Sequence, residues 1–205
     1  MRFLSCITVV IGFAVFSLPA LGQTLEEYNL TLKKEGFGWL APIQACPSEV
    51  IAKTVVEFED QRPSCEEDLE KCIEHCRKGD ASLCNAAARI YQDLDSIAYA
   101  DGFYQRSCSL GSSNGCTNFG ARLRFRRQGD PKCIANLFVA MCNRKDDWGC
   151  GMSAVVYQFG EGVEKNTELA KKYRDQSCLF DSGYGACKMA NELFENESNQ
   201  GEGVE

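Results

Sequence analysis

Aligned on four of its cysteines, the chain repeats one pattern of small, large and polar positions. Cys84 is followed by Ala88 at plus four and Tyr91 at plus seven; Cys116 by Gly120 and Leu123; Cys150 by Ala154 and Tyr157. Small then large residues at helical spacing make one apolar stripe, and the small residue permits a close approach to a neighbouring helix. Counting back eight and five from Cys108, Cys142 and Cys178 gives Ala100 and Phe103, Ile134 and Leu137, Ala170 and Tyr173. That is the facing stripe of a second helix. The unit recurs after 32, 34 and 37 residues between Cys84, Cys116, Cys150 and Cys187. Two helices per unit at such a period predict an α-solenoid, in which each unit buries its apolar face against its neighbours.

Between the helices lie short polar rings closed by cysteines: CRKGDASLC (Cys76 to Cys84), CSLGSSNGC (Cys108 to Cys116), CNRKDDWGC (Cys142 to Cys150) and CLFDSGYGAC (Cys178 to Cys187). In a continuous helix the ends of such a ring would stand about 12 Å apart. A disulfide needs the two Cα atoms within about 7 Å. The glycines, asparagines and aspartates inside each ring are suited to turn the chain, so the spacing predicts four local disulfides, each stapling one helix to the next.

Cys46, Cys65, Cys72 and Cys133 remain. Cys65 and Cys72 are two turns apart if one helix holds them, about 10 Å and too far to pair. Cys46 begins a first helix and should lie beside the end of an antiparallel partner, which gives Cys46–Cys72 with Cys65 and Cys133 unassigned. There is no C-x-x-C, and His75 is the sole histidine. Zinc and thiol-redox chemistry lack their usual spacings, so neither metal nor cofactor is expected. His75 reads as a surface residue of the acidic helix CEEDLEKCIEHC.

The first 22 residues have one basic residue, an apolar run and a small-residue end at Ala20-Leu21-Gly22, the form of a secretory signal peptide. Its removal leaves twelve cysteines, an even number suited to a disulfide framework in an exported chain. It also leaves a net charge of −8, which argues against nucleic acid as a partner. No later segment is apolar enough for stable membrane insertion. The organisation expected is a leader over 1–22, an N-terminal segment over 23–45, a repeat array over 46–194 and a polar tail over 195–205. In the segment, Leu25, Tyr28 and Leu32 could line one side of a short helix. Gly36, Gly38 and Pro42 then make a loop.

The third unit, CGMSAVVYQFGEGVEKNTELAKKYRDQSC, resembles a Sel-one-like repeat, a relative of the tetratricopeptide repeat. Gly160, Gly162, Val163, Ala170 and Tyr173 match the family pattern. The match is specific over 150–187 and fair over 84–150. It is weak over 46–83, where Lys53 stands at plus seven after Cys46. The second unit, FGARLRFRRQGDPK, has lost G-x-G-V. The cysteine staples further resemble the secreted Helicobacter cysteine-rich proteins. The resemblance implies an all-α, right-handed α-solenoid of disulfide-stapled helix hairpins that binds a protein or peptide outside the cytoplasm, in a periplasm or as a secreted protein. It also raises an alternative: a weak β-lactam-binding or β-lactam-hydrolysing protein, or a peptidoglycan-ligand binder. Against serine β-lactamase chemistry, no serine in the chain has lysine three positions on. No catalytic residue is assigned.

One cluster reverses the acidic background: Arg122, Arg124, Arg126 and Arg127. Arg122 and Arg126 are one turn apart. If first helices line the concave face, as the resemblance implies, both should project there with Phe119 nearby and clamp an acidic segment of a partner. The bland reading is a solvated helix end, where cations also favour the C-terminal dipole. Trp148 and Tyr184, in the stapled rings, read as loop packing.

Overall fold

In the computed structural model the helices run, in chain order, α1 (Leu25–Lys34), α2 (Arg62–Glu67), α3 (Leu69–Lys78), α4 (Ala81–Asp93), α5 (Ile97–Ser109), α6 (Ser113–Arg126), α7 (Pro131–Asn143), α8 (Asp147–Phe159) and α9 (Thr167–Leu179), with a 3-10 turn at Pro47–Val50. A further helical run covers 186–192. The structure describes residues 23–181, 183 and 185–192. The expected leader over 1–22, Tyr184 and the 195–205 tail lie outside the described residues.

Each staple ring also starts a helix. Asp80, Ser112 and Asp146 occupy the same place, four residues before the second cysteine of their rings. Each side-chain oxygen accepts the N–H three residues on, at Leu83, Gly115 and Gly149, and so caps α4, α6 and α8. With the chain turned there, the cysteine pairs close. Cys76–Cys84, Cys108–Cys116, Cys142–Cys150 and Cys178–Cys187 are bonded, with Cα atoms 4.7, 4.3, 4.4 and 4.4 Å apart.

Consecutive helices pack on one another, giving an all-α solenoid of hairpins α4–α5, α6–α7 and α8–α9 with partial units at each end. The stripes read from the sequence meet in the core. Ala88, Ala100, Phe103, Leu123, Leu137, Ala154 and Ala170 are fully buried. At Gly120 a Cβ would stand 2.4 Å from a Leu137 methyl, so the small residue is what lets α6 meet α7. Two equivalent hydroxyls cross between helices of a unit: Ser107 Oγ donates to the Ala81 carbonyl (2.7 Å) and Ser177 Oγ to the Asp147 carbonyl (2.9 Å).

The remaining cysteines pair differently from the sequence expectation of Cys46–Cys72. Cys65 is bonded to Cys72, with Cα atoms 5.5 Å apart. One helix does not hold them: α2 stops at Glu67, Asp68 is non-helical (φ −149°, ψ 83°), and its carboxylate caps α3 at the Lys71 N–H. Cys46 is bonded to Cys133 in the first turn of α7, with Cα atoms 5.1 Å apart. It begins a 3-10 turn rather than a first helix, so it has no antiparallel helical partner.

The N-terminal segment packs on the array. Thr24 and Glu27 form a capping box that starts α1, and Tyr28 and Leu32 bury against α5. Methyls of Leu32 and Leu40 sit 3.0 Å from where a Cβ on Gly102 would be, so this glycine makes room for the segment. Beyond it, the Gln105 side chain accepts from the Gln44 N–H (2.7 Å) and donates to the Pro42 carbonyl (2.9 Å). The Ala45 carbonyl then accepts from the Asp130 N–H (2.8 Å).

Candidate functional site

The arginine cluster does clamp carboxylates, but the carboxylates are the protein's own. Arg122 Nε donates to Asp101 Oδ1 (2.5 Å), and Arg126 Nη2 donates to Asp101 Oδ2. The Asp101 side chain is 0% exposed, and those of Arg122 and Arg126 are 15% and 14% exposed. Arg122 also donates to Gln92 Oε1 (3.2 Å), which takes the Tyr104 hydroxyl (3.1 Å). The Arg126 guanidinium lies over the Tyr28 ring, 5.8 Å from its centroid. The assembly therefore ties α1, α4, α5 and α6 together. Burial pushes the Asp101 carboxyl above its ordinary range while Arg126 and Arg122 pull it down.

This corrects the partner-binding expectation for Arg122, Arg126 and Phe119. Both guanidiniums are spent on an internal anion. Phe119 is fully buried, so it can contact nothing outside. The sequence signal that could have located the partner is Asp101 itself, an acid one turn after Ala98 and one turn before Tyr104 on α5. Arg124 is likewise engaged, bidentate on Glu161 (2.5 and 2.7 Å) in the loop after α8. Arg127 caps α6 in the left-handed region (φ 55°) and faces solvent.

Several hollows open on the surface of the described residues, two of them beside α6. One, of about 570 Å³, lies at the α6–α7 turn between Arg124, Phe125, Ile134, Val156 and Gly162. The other, of about 360 Å³, is a groove across the starts of α6 and α8. Its wall carries amides and cations: Arg89 on α4, Asn114 and Asn118 on α6, and Lys145 before α8. Asn114 Oδ1 accepts from both Asn85 Nδ2 and Asn118 Nδ2, each at 3.0 Å, which orders the amides into a ladder. Asn85 Oδ1 is buried without a hydrogen-bond partner. Trp148, Phe58 and Phe180 give the groove its apolar sides. Trp148 thus lines a recess rather than packing away in its loop.

The groove's acids are turned inward. Asp146 Oδ2 accepts from the Thr117 hydroxyl (2.6 Å) and the Gly149 N–H (2.8 Å). Burial pushes its carboxyl up to about 6 against the opposing pull of those two hydrogen bonds. Asp147 Oδ1 accepts the Trp148 N–H (2.8 Å). The groove therefore presents Lys145, the asparagine amides and Trp148 outward, with Arg89 held by Asp60 (2.9 Å), a set that can bind backbone and carboxylate oxygens alongside an apolar side chain. In the sequence Arg89, Asn114, Asn118 and Lys145 are ordinary polar residues spread over three units. Only the stacking of α4, α6 and α8 puts them side by side.

No protein-family model matches the chain, and no solved structure matches it significantly. Among curated proteins it is similar to cytochrome c oxidase assembly factor 7 of Xenopus tropicalis, 25% identical over 120 residues, covering 56% of this chain and 50% of that one. It is also similar to cytochrome c oxidase assembly factor 7A of Xenopus laevis, 24% identical over 117 residues, with the same shares of 56% and 50%. The chain spans about half the length of these curated relatives.

Proposed function

We propose that the chain is an exported scaffold of Sel-one-like repeats that binds a protein or peptide partner outside the cytoplasm. The observation that carries this reading is the groove of Arg89, Asn114, Asn118, Lys145 and Trp148, held open by helices that disulfides fix in register. All twelve cysteines beyond the leader are paired, which suits an oxidising compartment. Among the described residues no helix is long and apolar enough to cross a membrane. The relatives are named as cytochrome c oxidase assembly factors, which accords with a partner-binding reading. A fold of this kind gives no function by itself, so the site bears the weight.

The test is capture of partners from the exported fraction by the oxidised protein, wild type against Lys145→Glu with Trp148→Ala. Both residues lie at the surface of the groove. The expected result is loss of the main captured species with an unchanged melting temperature, and weaker capture by wild type at high salt. Equal capture by both proteins would remove the groove from the reading. Hydrolysis of nitrocefin by the same preparation would favour the β-lactam alternative.

A further inference from the structure

One side of the groove is made by a loose stretch of the chain itself. Past the Ala52 carbonyl, which accepts from Arg144 Nη2 (2.5 Å), residues 53–60 cross the array before α2 begins. Val56 N–H donates to the Gly111 carbonyl (3.0 Å), and Val56 pairs with Ser112 in a single parallel bridge. Phe58 lines the groove, and Asp60 Oδ1 accepts from Arg89 Nη1 (2.9 Å). Every residue from Lys53 to Asp60 is exposed; Val55 is 57% and Phe58 38% exposed. Segments with so little buried area and so few backbone bonds open at low cost.

Both ends of this strap are covalently held. Cys46 upstream is bonded to Cys133 on α7, and Cys65 downstream is bonded to Cys72 on α3. The strap can therefore lift without leaving. Lifting it frees the Arg89 guanidinium beside Asn114, Asn118 and Lys145. The strap puts Phe58 on one side of the groove and Asp60 on Arg89, within the acidic sequence Val-Glu-Phe-Glu-Asp, which has an aromatic residue two positions before the carboxylate that meets Arg89.

We propose that residues 53–60 are a tethered self-ligand. The partner segment has the same chemistry: an extended acidic peptide with an aromatic residue two positions before a carboxylate. This deepens the scaffold reading and rests on it. A tethered competitor acts at an effective concentration of about millimolar, so it lowers the apparent affinity for a partner by the fraction of time it is docked. The strap thus sets a threshold, and only a partner that outcompetes it gains the groove.

The test uses the full oxidised chain and a fluorescein-labelled peptide of the strap's own sequence, Val-Val-Glu-Phe-Glu-Asp-Gln. Phe58→Ala with Asp60→Ala weakens the strap. Fluorescence anisotropy should show binding at least about tenfold tighter than to wild type. Adding Arg89→Ala should abolish that gain, and a peptide with the Phe and Asp replaced should not compete. Hydrogen exchange at the Val56 amide gives a second readout: saturating peptide should speed it in wild type. Equal affinity for wild type and the strap variant, no binding at millimolar peptide, or binding that leaves Val56 exchange unchanged would each overturn the proposal. If the peptide fails while the Lys145 and Trp148 substitutions still abolish partner capture, the self-ligand falls and the scaffold reading stands. If both fail, the groove leaves the scaffold reading as well.

Discussion

Replacing Arg122 and Arg126 together by methionine should expose how far the buried clamp holds the fold. Methionine keeps most of the apolar stem and removes both cations. Asp101, with a fully buried side chain, would then have no counter-charge. Removing the partner of a buried ion costs about 3–5 kcal/mol. For a domain of this size that corresponds to a melting temperature lower by about 6–20 °C. Adding Asp101→Asn should recover most of the loss, because the desolvation cost belongs to the charge rather than the shape. The pH dependence has a definite sign. Burial already raises the Asp101 carboxyl in the folded protein, and loss of the guanidiniums raises it further. A raised carboxyl contributes stability that is complete below its unfolded pKa of about 4 and is lost as pH rises through the folded value. The double variant should therefore be closest to wild type near pH 4 and furthest from it at pH 7. The assay is urea unfolding of oxidised protein followed by far-ultraviolet circular dichroism at several pH values. The loss should persist in 1 M salt, since buried charges are little screened. A loss below about 1 kcal/mol at pH 7, or one that salt erases, would refute the reasoning.

Three further outcomes follow from the same geometry. Asp146→Asn keeps a good helix cap and removes a carboxyl held up to about 6; wild type should gain stability relative to the variant as pH falls from about 6 to 4, read by parallel urea titrations. Gly162→Ala should cost about 2 kcal/mol or more in unfolding free energy, because its φ is +72° and a Cβ would stand 2.1 Å from the Pro131 carbonyl oxygen. Non-reducing peptide mapping should recover Cys46 with Cys133 and Cys65 with Cys72, and Cys46→Ser should make Cys133 open to alkylation while Cys72 stays protected.

The repeats were legible because their signals are local. Stripes at plus four and plus seven, turn residues between cysteines and a constant staple length all lie within one unit, and they place Ala88, Gly120 and Ala154 correctly in the core. What was not legible is long-range. Cys46 and Cys133 are 87 residues apart, and no local spacing joins them. One unbroken helix would hold Cys65 and Cys72 apart, but Asp68 breaks it by capping α3. Arg122 and Arg126 were correctly paired with each other on one helix face. Their anion lay in the preceding helix, so cations that read as a partner site form an internal clamp. The groove was invisible for the same reason: its residues come from three units and a strap.

The central claim is that a partner segment lies along the groove of α4, α6 and α8. Site-specific photo-crosslinking in the native host tests it most directly, with a photoreactive residue in place of Trp148, and a control in place of the exposed Lys171 on α9. A discrete crosslinked protein from position 148, lost when Lys145 is also reversed to glutamate and absent from position 171, is the predicted result. The same product from both positions, or none from position 148 in correctly oxidised protein, would contradict it.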